Sequence, residues 1–164
     1  MTANREDTQM INRKLAGAVS AGAIMSALAG GAFADTFSVQ LSEQAVSEAH
    51  DGRVILIITP DGEKEPRFQV KQSYDAPQIF GVNVDGLAPG ESVEIAPGIL
   101  GFPAKDMKDV PAGDYYVQAV LHKYDTFNLS NDKTVKLPAA RGAGQNWRLE
   151  PGNVISAPQK VSFD

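Results

Sequence analysis

The chain contains no cysteine in 164 residues. Disulfides, thiolate nucleophiles, thiolate zinc sites and iron–sulfur clusters are thereby excluded from it. Only two histidines, His50 and His122, and one tryptophan, Trp147, are present. A G-x-S-x-G elbow, which would place a serine nucleophile on a strained turn, is missing. Two histidines far apart in sequence are weak grounds for a metal centre. A basic stripe is also missing, which argues against nucleic acid and anionic membrane as partners. There is no internal repeat, and no convincing amphipathic helix of ten residues or more. Residues 41–50 (LSEQAVSEAH) come nearest to one and read equally well as loop.

What is present begins with an address. Asn12, Arg13 and Lys14 form a short positive region, and Leu15 to Leu28 is apolar, small and uncharged. Gly30 to Ala34 then give a small-residue exit with Ala-x-Ala spacing before Asp35. These parts in this order predict a secretory signal peptide over residues 1–34, cleaved near Ala34/Asp35. The alternative is a short buried helix. A membrane span needs about 20 strongly apolar residues, and this stretch is too short and too rich in Ala, Gly and Ser. Residues 1–9 read as an upstream extension, with Met1 or Met10 as the start. The expected destination is the periplasm or the exterior of a bacterial cell, with no integral membrane segment after cleavage.

Taking 34 residues from 164 leaves 130 in 35–164, enough for one domain with an adequate core. Arg5, Arg13, Lys14, Glu6 and Asp7 leave with the signal segment, so 12 basic and 18 acidic residues remain, a net charge of −6. That mild acidity suits solubility and specifies no partner.

Along 35–164 the dominant pattern is alternation and short apolar runs punctuated by Gly and Pro. Residues 36–42 alternate and predict a half-buried strand, and 53–59 (RVILIIT) predict one buried on both sides. Further strands are expected at 67–72, 78–84, 91–95, 114–124, 133–137 and 159–163, with turns at Pro60-Asp61-Gly62, Asp85-Gly86, Pro89-Gly90 and Pro111-Ala112-Gly113. Lys105 to Asp109 can close a helical turn. In 114–124, Tyr116, Gln118, Val120 and His122 share one face, and Tyr115, Val117, Ala119, Leu121 and Lys123 the other. The expectation is an all-β fold, an antiparallel, immunoglobulin-like β-sandwich of seven or eight short strands. Residues 138–158, long and rich in turn formers, hold Trp147. Loops of that length are usually functional or docked on a neighbour.

Several residues could carry chemistry. Asp125, Asn131 and Asp132 offer oxygen ligands for calcium, although Asx residues are common turn formers and the spacing fits no EF-hand. Tyr115, Tyr116, Tyr124, Phe127 and Trp147 could form a stacking platform for sugars, or simply pack as core with one loop-anchoring indole. Arg141 and Arg148 flank Trp147 and could hold a carboxylate, on a ligand or within the fold. His50-Asp51 and His122 are the only candidates for a general base.

The segments IFGVNVDGL (79–87), PAGDYYVQAVLHKYDTF (111–127), VKLP (135–138), RGAGQNW (141–147) and PGN (151–153) resemble the N-terminal accessory β-sandwich region of exported bacterial esterases. The likeness spans roughly 53–164. Its most specific part is the RG-x-GQ-x-W…PGN segment, which adds Gln145 to the residues of interest. In that family the region precedes an α/β-hydrolase domain that carries the serine. No position here matches a catalytic residue, so none is transferred. The resemblance implies a non-catalytic exported module, free-standing or part of a longer protein, that partners a hydrolase domain or another exported protein and needs no cofactor. The alternatives are a carbohydrate- or small-ligand-binding module using Trp147, Arg141, Arg148, Gln145 and Tyr124, and a small hydrolase using His50 or His122 with Asp125 or Asp132.

Overall fold

The β-branched run Val54 to Thr59 becomes the middle of the larger sheet, buried on both faces. The computed structural model describes the backbone of 24–28 and residues 36–163 except 141 and 143. The expected signal peptide lies outside the described residues but for 24–28, and Arg141 lies outside them too. The described strands are β1 (Ile24–Leu28), β2 (Thr36–Gln40), β3 (His50–Thr59), β4 (Gln78–Leu87), β5 (Ser92–Ile95), β6 (Gly101–Phe102), β7 (Gly113–Lys123), β8 (Asp125–Asn128), β9 (Thr134–Leu137), β10 (Val154–Ile155) and β11 (Gln159–Phe163). Every pairing is antiparallel. The fold is all-β, with single 3-10 turns at Pro66–Phe68 and Met107–Asp109 and no α-helix among the described residues. None of the described helices is long and apolar enough to cross a membrane.

One sheet runs β1-β2-β5. A second runs β10-β7-β3-β4-β6, with β11 also on β7, and β8-β9 form a separate hairpin. The main core joins the first two. Phe37, Val39, Leu41 and Ile95 share one buried cluster with Val54, Leu56, Ile58, Val117, Ala119 and Leu121. Those from β2, β3 and β7 are alternate residues of their strands, as the period of two requires. Burying one such aliphatic side chain contributes about 1.5–3 kcal/mol. An exposed ion pair such as Lys160–Asp114 is screened by water and contributes far less. Apolar burial therefore sets the fold, and the surface charges decorate it.

The structure differs from the sequence-based expectation in several places. Residues 67–72 are not a strand. Pro66 opens a 3-10 turn, closed by Phe68 N–H to Glu65 O and Gln69 N–H to Pro66 O, and the segment crosses the face of the larger sheet. Asp85-Gly86 is not a hairpin turn but lies inside β4. His50 pairs Leu87 while Gly52 pairs Val84, so Asp85 and Gly86 form a bulge opposite Asp51. Gly86 takes φ 68° there and its N–H donates to Asp51 Oδ1. Asp125 is in β8 rather than in a loop, and β10 interrupts 138–158. The two-residue β6 lies between the expected strands 91–95 and 114–124, where the sequence predicts none. Residues 41–50 form a turn, with Ala45 and Val46 N–H both donating to Ser42 O, and only His50 belongs to a strand.

Candidate functional site

The second face of the larger sheet is where chemistry-bearing side chains meet. Directly opposed residues of antiparallel strands project to the same side, their Cβ atoms about 4.5–5.5 Å apart. The register makes three rows across β4, β3 and β7. They are Asn83–Arg53–His122, Gly81–Ile55–Val120 and Ile79–Ile57–Gln118. One end of the face is thus polar and the middle apolar. Ile55, Ile57 and Val120 form a second buried cluster, with Val70, Ile79, Ile155 and Trp147 packed on it.

Two segments, 65–74 and 144–153, roof this face and are tied together over it. Arg67 Nη1 donates to Arg148 O at 2.9 Å, and Arg148 Nη1 donates to Val70 O at 2.6 Å. Asn153 Nδ2 donates to Trp147 O at 2.6 Å, which fixes the indole-bearing turn. Beneath the roof Gln118 is 1% exposed and satisfied. Its Oε1 accepts from Arg67 N–H, and its Nε2 donates to Glu65 Oε2 and Ser156 O. The Arg67 guanidinium, then Gln118, hold the Glu65 carboxyl below its ordinary range.

Between the roof and the sheet lies a cleft of about 1170 Å³. Ile55 and Ile79 line its floor, Tyr74 and Phe102 pair at 6.2 Å along one side, and Trp147 and Tyr124 bound it elsewhere. Drug-sized ligands occupy pockets of about 300–1,000 Å³ that are mostly apolar with a few converging polar groups. Among the described residues three cations, Arg53, Lys71 and Arg148, line this one, and no Asp or Glu does.

Each cation is held differently. Lys71 pairs with Asp75 at 2.5 Å, and with Ser73 it pulls the Asp75 carboxyl down to about 2. Arg53 donates from Nη1 to Asn83 Oδ1 at 2.6 Å and from Nη2 to Gly81 O at 2.8 Å. The guanidinium lies over Gly81 because a Cβ there would sit 2.8 Å from Arg53 Nε. The partners of Arg53 and Arg148 are neutral, so their charge persists. His122, opposite Arg53 and also lining the cleft, is 3% exposed, and its Nε2 has no hydrogen-bond partner. Burial pushes the imidazole pKa below its ordinary value, against the smaller opposing pull of Glu150. Tyr124 meets the ring edge-on at 5.3 Å.

Of the residues singled out in the sequence, Trp147, Arg148, Gln145 and Tyr124 line this cleft together. The rest of the aromatic platform does not converge there. Tyr115 packs on Phe163 at 5.2 Å, the Tyr116 ring abuts Gly62, and Phe127 is exposed on β8. His50 stands at the start of β3, outside the cleft lining, its pKa lowered first by burial and then by Lys123. Asp51 is engaged by Lys136 and the Gly86 amide, which hold its carboxyl below the ordinary range. No hydroxyl is bonded to His122 Nε2, so the nucleophile–base contact of the hydrolase reading is not formed among the described residues. Asp125 opens β8, while Asn131 and Asp132 sit at the far end of the β8–β9 hairpin, Asp132 at φ 61°. The described residues contain no group of three or more His, Asp or Glu placed to hold a metal ion. Sequence reasoning missed Arg53, Lys71, Tyr74 and Phe102. Alternation in 53–59 places Arg53 with Ile55, but its partner across the sheet depends on register. No family model, curated protein or solved structure matches the chain.

Proposed function

We propose that the chain is a non-catalytic binding module that holds a small organic ligand in the cleft beneath residues 144–153. One observation carries this reading. A mainly apolar cleft is lined by Trp147 and Tyr124 together with two arginines, Arg53 and Arg148, whose hydrogen-bond partners are neutral. Apolar pockets with a few converging polar groups are the usual sites of small-ligand binding. In this reading the chain is exported by its N-terminal segment, its packed sheets form an immunoglobulin-like sandwich, and it belongs with the accessory regions of exported esterases. Trp147, the only tryptophan, reports binding directly. Titration with a panel of sugars and organic acids should give a saturable change in its emission. A flat response across the panel, with no heat in calorimetry, overturns the reading.

A second reading rests on the β8–β9 hairpin, where Phe127, Leu129 and Leu137 are exposed together. Such a projecting apolar patch suits a partner protein, such as a hydrolase domain. Cross-linking through a single cysteine introduced at Leu129 tests it, and an absence of partner adducts in the exporting cell would sink it.

A further inference from the structure

The charge of the cleft is opposite to that of the molecule. The chain carries a formal net charge of −5, yet among the described residues the cleft lining has three cations and no carboxylate. Lys71 is neutralised by Asp75. Arg53 and Arg148 are held by an amide oxygen and backbone carbonyls, which orient a guanidinium without cancelling its charge. Arg53 has used two of its five N–H donors in this way.

Arg53 and His122 are direct cross-strand partners on β3 and β7, side by side on the cleft face. The Nε2 of His122 is buried and unpartnered. Arg53 keeps further N–H donors, so one oxygen-rich group can pair with the guanidinium beside the His122 ring. The next row of the sheet, Gly81–Ile55–Val120, is apolar, and Ile79 and Trp147 extend that surface.

We propose that the cleft takes an organic carboxylate with an apolar body. The carboxylate is held by the Arg53 guanidinium, beside the His122 ring, and the body lies along Ile55, Ile79 and Trp147. Gly81 is part of the device, because only a residue without a side chain leaves the Arg53 guanidinium where it is. This inference rests on the binding reading above. It excludes a neutral sugar as the preferred ligand, since such a ligand leaves the Arg53 guanidinium without a counter-charge.

The test uses the full chain and matched ligands. Octanoate and octan-1-ol, both below their aggregation concentrations, are titrated by calorimetry and by Trp147 emission, alongside glucuronate and glucose. Octanoate should bind saturably and at least tenfold more tightly than octanol. Arg53→Met and Gly81→Ala should each weaken octanoate about tenfold and leave octanol unchanged, with far-UV circular dichroism unaltered. If Arg53→Met does not fold, Arg53→Lys with Gly81→Ala carries the test, because the lysine keeps the charge without the two-armed geometry. Equal affinity for octanoate and octanol, or wild-type affinity for octanoate in the folded variants, overturns the carboxylate inference and leaves the binding reading standing. Binding of the sugars alone does the same. No binding of any of the four ligands overturns both.

Discussion

His122 combines two properties that pull against each other. It is enclosed almost completely, yet one ring nitrogen has nothing to bond. Burial favours the neutral ring, so the folded pKa lies below the ordinary 6.5. Between the two values the unfolded chain binds more proton than the folded one, and stability rises with pH across that window. The contribution is fully present above about 6.5 and is lost as pH falls toward the folded value. The urea midpoint should therefore drop between pH 7.5 and 5.5. His122→Phe should flatten that drop, measured in a His50→Ala background because burial lowers the His50 pKa as well. A slope that survives both substitutions would assign it elsewhere. Gln118 makes the contrasting case, since it is as deeply enclosed and fully bonded. Gln118→Leu strands the Ser156 carbonyl and the Arg67 amide, and it should cost about 1–3 kcal/mol in equilibrium unfolding.

At the scale of the element, strand existence was readable and strand context was not. The runs at 36–42, 53–59, 78–84, 91–95, 114–124, 133–137 and 159–163 all became strands, because alternation and β-branching are local properties of the chain. The segment 67–72 alternates just as well. It became a crossing turn because Pro66 withholds a ladder donor and fixes φ, and because the backbone groups of Arg67 and Val70 are met by Gln118 and Arg148 instead of a neighbouring strand. The Asp85-Gly86 pair carries strong turn chemistry, but pairing of Leu87 with His50 draws it into a bulge. Such outcomes depend on partners distant in sequence. The two roof segments depend on Arg67, which reaches both Glu65 and Arg148 O. Arg67→Ala should speed proteolytic nicking within 144–153 severalfold while moving the global unfolding midpoint only slightly. An unchanged digestion pattern would show that the remaining ties suffice.

Across the whole molecule, the candidate site was half legible. Trp147 drew notice through its rarity and the length of its loop, and Tyr124, Gln145 and Arg148 followed from proximity to it or from the family resemblance. Arg53 looked like the ordinary first residue of a buried run. Its meeting with His122 arises from the register between β3 and β7, residues 69 positions apart, and no local pattern announces it. The roof of the cleft likewise combines 65–74 with 144–153, regions that sequence reading treats separately.

The pairing of β1 with β2 has a consequence for processing. β1 spans Ile24–Leu28 and β2 starts at Thr36, so a cut after Ala34 removes one strand and keeps the other. Thr36–Gln40 would then be hydrogen-bonded to β5 alone, with a bare row of peptide groups along its other margin. The trimmed protein should exchange the amides on that margin for deuterium much faster than the precursor does. Identical exchange in the two forms would mean that another stretch of backbone has taken the vacated place.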